Sequence, residues 1–100
     1  MHVILWAFEV KRGCEREFEK VYAPRGEWVR LFVKHPGYGG TELLRDANRV
    51  ARYVTIDRWE SRESYDAFKE RARAEYEELN ARGEALTKTE RLIGRFETVP

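Results

Sequence analysis

The chain has 100 residues, 19 basic and 18 acidic, and a single cysteine, Cys14. That length suits one domain spanning residues 1–100. The near-cancelling, interspersed charges give no long-range field for nucleic acid or an anionic membrane, and one thiol makes neither an internal disulfide nor a metal cluster. The first residues do not run from charged to apolar to small, and no long apolar span occurs, so a soluble cytoplasmic protein is expected.

His2 to Val10 reads as a strand that is apolar on both faces, with Val3, Leu5 and Ala7 pointing one way and Ile4, Trp6, Phe8 and Val10 the other. Lys11-Arg12-Gly13 forms a turn. From Glu15, the spacing of Phe18, Val21 and Tyr22 predicts a short amphipathic helix, interrupted by Pro24 and Gly26. Helical spacing resumes at Trp28, Leu31 and Phe32 and stops before Pro36-Gly37. Two strands, Tyr38 to Arg45 and Arg52 to Trp59, flank the polar turn Asp46-Ala47-Asn48-Arg49.

Ser61 is a suitable N-cap for a long helix, with Glu63 placed to complement the positive helix end. Tyr65, Phe68, Ala72, Tyr76 and Leu79 give that helix an apolar face, and Gly83 is the expected break before a short turn through Leu86. Arg91 to Val99 reads as the last strand. The order predicts an α+β, ferredoxin-like βαββαβ fold with a four-stranded antiparallel sheet and helices on one face. Its other face, carrying Val54, Ile56 and Arg58, is left uncovered, so a homodimer is expected.

The strings PGYGGTELLRD and RYVTIDRWESRESYDAF, together with Val10 to Phe18 and Gly26 to Phe32, resemble the antibiotic biosynthesis monooxygenase family of the dimeric α+β barrel superfamily. The resemblance implies such a barrel and a pocket between sheet and helices. It further implies cofactor-independent oxygenation of a quinol-like or phenolic aromatic compound, with no metal, because the deprotonated substrate itself passes an electron to dioxygen. Trp59 and Tyr65 resemble the aromatic pair of such a pocket, and Thr55 stands where those enzymes carry an Asn. The haem-degrading branch uses an Asn on the first strand and a His on the long helix. This chain has neither, so haem chemistry is not expected. The competing expectation is a non-catalytic small-molecule-binding or assembly module of the same fold.

Several residues keep two readings. Trp59 either stacks a substrate ring or closes the hairpin on the helix, and Tyr65 is either a pocket donor or a satisfied core phenol. Asp57 is either a base with a raised pKa or half of an ion pair with Arg45 or Arg95. His35 is either a proton acceptor at the pocket mouth or a solvated loop residue. The candidate catalytic set is therefore Trp59, Tyr65 and Asp57. Thr55, Tyr53, Phe68, Tyr76 and His35 are the candidate pocket lining. His2 and Cys14 have no expected role, and the glycines at 37, 39 and 40 precede a strand, which excludes a phosphate loop.

Overall fold

The computed structural model describes all 100 residues. The chain runs β1 (His2–Val10), α1 (Glu15–Tyr22), α2 (Glu27–Phe32), β2 (Tyr38–Arg45), β3 (Arg52–Trp59), α3 (Arg62–Arg71), α4 (Arg73–Leu86) and β4 (Thr87–Glu97). The strands form one antiparallel sheet in the order β2-β3-β1-β4. This is the expected ferredoxin-like connectivity.

The expected barrel is corrected. β2 pairs only with β3, and β4 only with β1, so the sheet is open and has two free edges. Four strands about 4.8 Å apart make too narrow a ribbon to curl round and close.

Alternation along β3 gives the sheet its two faces. Tyr53, Thr55 and Trp59 are buried under the helices, and Val54, Ile56 and Arg58 are only half-buried. On β1, Ile4, Phe8 and Val10 join the same core, which continues through Phe18, Val21 and Tyr22 of α1 and Trp28, Leu31 and Phe32 of α2. Rings dominate it: Phe18 stacks on Tyr22 at 4.2 Å, and Phe32 meets Trp59 and Phe68 edge-on at 5.6 and 5.3 Å. Such contacts add to the area they bury. On the other face Val3 and Leu5 are half-buried, and Leu44 and Phe96 are exposed.

The long helix bends at Ala72, not at Gly83 as its sequence suggests. Ala72 leaves helical geometry (φ −102°, ψ 25°) while its amide still bonds Phe68 O at 2.9 Å. Gly83 is buried inside α4 because the Tyr22 hydroxyl occupies the space a Cβ would need. The glycine serves close helix packing. The helix start is as expected: Ser61 Oγ accepts from the Ser64 amide at 3.1 Å, and Ser64 Oγ accepts from the Ser61 amide at 3.1 Å. Gly37 (φ 93°) passes so close to Ser64 that a Cβ would strike it, and its carbonyl accepts from the Glu60 amide at 2.6 Å. The hairpin is thereby locked to the start of α3.

β4 begins at Thr87, four residues before the expected Arg91. Thr87, Lys88, Thr89 and Glu90 lack the apolar alternation of a strand, but β1 supplies the pairing partners Val10, Glu9 and Phe8. Register shifts at Leu5/Trp6 and Glu9/Val10 mark irregularities on this side. No helix is long and apolar enough to cross a membrane.

Candidate functional site

A cleft opens between the helix-facing side of the sheet and the helices. Its walls are Trp6 and Phe8 of β1, Tyr22 of α1, Trp28 and Phe32 of α2, Thr41 of β2, Thr55 and Asp57 of β3, Tyr65 of α3, Tyr76 and Asn80 of α4, and Glu90 of β4. The cleft encloses about 490 Å³ counting its open mouth, of which about 40 Å³ is wide enough for water. A few waters fit there. An aromatic ring enters only if wall side chains move.

Asp57 sits on the same strand face as Thr55 and Trp59, and no arginine reaches it. Arg95 instead donates to His2 Nε2 at 2.9 Å and to Asp66 at 2.8 Å. Asp57 accepts from Thr41 Oγ1 at 2.6 Å, and Thr41 in turn accepts from the Tyr38 hydroxyl at 2.7 Å. Burial pushes the Asp57 carboxyl up to about 6, against the smaller lowering effect of the Thr41 bond. The ion-pair reading of Asp57 is thus not the one the fold adopts.

Tyr65 and Tyr76 meet across the bend at Ala72. Burial raises both phenols; the adjacent Tyr76 raises Tyr65 further, and the Tyr65 hydroxyl lowers Tyr76 in return. Both phenols therefore keep their protons at neutral pH, and each has one O–H to donate. Arg95 lies over the Tyr65 ring at 4.9 Å, and Lys69 lies over the Tyr76 ring at 5.0 Å.

Of the residues singled out from the sequence, the cleft brings together Asp57, Thr55, Tyr65 and Tyr76. Trp59 and Phe68 are fully buried behind it, stacked on each other at 5.1 Å, with Trp59 edge-on to Tyr65 at 5.7 Å. Tyr53 lies toward α1, where its hydroxyl donates to Glu19 at 2.6 Å. Its pKa rises to about 12 through burial and then that bond. His35 packs edge-on against Phe68 at 5.0 Å, outside the cleft lining.

Other wall residues carry weaker sequence signals. Trp6 and Thr41 follow from strand alternation, once β1 and β2 are known to share the inner face. Glu90 lies in the stretch that did not read as strand. Its pKa is raised by burial and then by Glu84. The buried Tyr22 hydroxyl and Trp28 Nε1 on the wall make no hydrogen bond of ordinary geometry. They are neighbours, because Trp28 lowers the burial-driven rise of Tyr22. The indole N–H of Trp59 is the third buried polar atom without a partner. His2, which had no expected role, is fully buried. Because Arg95 can only donate to Nε2, Nδ1 must carry the proton it shares with Glu97 at 2.6 Å.

Comparison with known proteins places this architecture. The heme oxygenase (mycobilin-producing) of Mycobacterium tuberculosis is 37% identical over 62 residues, which is 62% of this chain and 56% of that protein. The chain thus spans little more than half the length of this curated relative. A variant of SnoaB, a cofactor-independent oxygenase from Streptomyces nogalater, superposes with a TM-score of 0.82 at 25% identity, covering 97% of this chain and 91% of that one. A variant of MhuD, solved with manganese protoporphyrin IX in its active site, gives a TM-score of 0.71 at 26% identity over 100% and 96% of the two chains. The antibiotic biosynthesis monooxygenase family model matches residues 1–78, from β1 into the first half of α4. With that match over most of its length, the chain belongs to the antibiotic biosynthesis monooxygenase family.

Proposed function

We propose that this protein is a cofactor-independent monooxygenase acting on a quinol-like or phenolic aromatic compound. The observation that carries the reading is Asp57, a carboxylate titrating near 6 in an aromatic cleft, with a phenol donor, Tyr65, on the opposite wall. A carboxylate of that pKa is ionised at neutral pH and is a stronger base than an ordinary Asp.

Asp57 takes a proton from the bound substrate, and Thr41 steadies the carboxylate through its 2.6 Å bond. The deprotonated ring passes an electron to dioxygen. Overall, one oxygen atom enters the substrate as a carbonyl, and the other leaves as water with two substrate hydrogens. Tyr65 donates to the oxyanion that develops. Trp59 acts as a positioning residue, because it backs Tyr65 at 5.7 Å and lies outside the cleft lining. Thr55 and Tyr76 complete the pocket, with Tyr53, Phe68 and His35 supporting it from behind. A second copy of the chain covers the outer sheet face, where Leu44 and Phe96 are 45% and 49% exposed. Light scattering at micromolar concentration tests that part, and a monomer contradicts it.

Haem does not fit these residues. α3 and α4 carry no histidine. Both ring nitrogens of His2 are engaged, and His35 faces Phe68. No basic side chain lines the cleft to receive propionates.

Oxygen uptake by the metal-stripped protein, measured against hydroquinones, anthrones and catechols, tests the reading. Uptake above the spontaneous rate, reduced in Tyr65→Phe, is expected. Absence of uptake on every compound moves the protein to the binding or assembly class.

A further inference from the structure

The charge of the cleft is one-sided. Asp57 and Glu90 face it, and no Lys, Arg or His is among its walls. Asp57 pairs across from Ile4 on one flank of β1, and Glu90 pairs across from Phe8 on the other. Four residues along β1 and two strand spacings across it separate the backbones by about 13 Å and 10 Å. The two acids therefore occupy opposite corners, with Trp6 between them. Glu90 also borders an outer groove together with Trp6, Tyr76, Asn80 and Glu84, so it stands at the mouth. No hydrogen bond or ion pair contributes to its titration.

The nearby cations do not neutralise this mouth by contact. Arg95 is held by His2 and Asp66, Lys69 lies over the rings of Tyr65 and Tyr76, and Lys88 shares only the outer groove. Inside, Trp28 Nε1 is directed at the Tyr22 oxygen, and the buried Tyr22 O–H itself has no acceptor, which suits a ligand oxygen beside it. Such a cleft offers a donor to a neutral oxygen within, and an unpaired carboxylate beside an indole face at its entrance.

We propose that the cleft takes a phenolic ring carrying a cationic amine at its outer end, with Glu90 as the specificity-determining partner of that amine. A carboxylated aromatic meets two like charges and is rejected. This inference rests on the same cleft as the oxygenase reading but not on turnover. Binding without oxygen uptake leaves it standing and sinks that reading.

The test compares tyramine with 4-hydroxyphenylacetate, which have similar length and opposite charge, by calorimetric titration at pH 7.5 and physiological salt. Tyramine is expected to bind at least about tenfold more tightly, the scale of one partly desolvated charged contact. In Glu90→Gln the two affinities should converge to within about threefold, with the melting temperature kept. Glu63→Gln, which removes the same charge from the exposed start of α3, should leave the preference intact. Equal or tighter binding of the acid, no binding of either compound at millimolar concentration, or a preference that survives Glu90→Gln overturns the proposal.

Discussion

Replacing Asp57 by Asn should make the protein more stable at pH 8 and leave it unchanged at pH 4. Burial moves this carboxyl from its ordinary 3.8 to about 6. At 1.36 kcal/mol per pH unit, that displacement costs the folded state about 3 kcal/mol once the group is ionised. The sign follows from proton binding. Between the two pKa values the folded chain holds more protons than the unfolded one, so stability falls as pH rises through 3.8 to 6 and levels off above. Asn retains an acceptor for Thr41 but loses the charge-assisted part of that 2.6 Å bond. That loss is already contained in the shift to about 6, so the net gain stays at about 3 kcal/mol. For a domain this small, that gain raises the melting temperature by about 12–24 °C. Thermal unfolding followed by circular dichroism at pH 8 and pH 4 measures both halves. A variant no more stable at pH 8, or equally stabilised at pH 4, would refute the assignment of a buried, ionised Asp57.

Two structural claims can be checked alongside. Gly83→Ala should destabilise by about 1–3 kcal/mol in urea unfolding despite the better helix propensity of Ala, because its Cβ falls on the Tyr22 hydroxyl. Adding Tyr22→Phe should recover much of the loss, and a stabilised single variant would contradict the packing account. Ser61→Ala should cost about 1 kcal/mol by removing the Ser61 Oγ half of the cap at α3 while the Ser61 amide keeps its bond to Ser64 Oγ, and no loss would mean the lost half is replaced by water.

The sequence carried the connectivity and most of the inner sheet face. Tyr53, Thr55 and Trp59 alternate because one side of β3 must be buried, and Asp57, on the same side, stays half-buried at the cleft. It was less informative wherever long-range packing overrode local preference. A glycine in a helix reads as a break, but here it makes room for Tyr22, and the bend falls at Ala72, a strong helix former. The early residues of β4 read as polar loop because their strand state depends on β1, and that concealed Glu90. Asp57 was legible as a candidate base, but its freedom from Arg95 was not, since Arg95 is drawn away by the buried His2. Trp59 was legible as important. Its depth behind the cleft depends on packing that alternation alone does not specify.

The central claim is that Asp57 is the base of a cofactor-free oxygenation. The initial rate of oxygen uptake on a quinol or anthrone, from pH 5 to 8, tests it most directly. The account predicts a rate that rises through about pH 6 as Asp57 ionises, and a loss of about a hundredfold with no such rise in Asp57→Asn. A folded Asp57→Asn protein that keeps the wild-type rate and profile would contradict it.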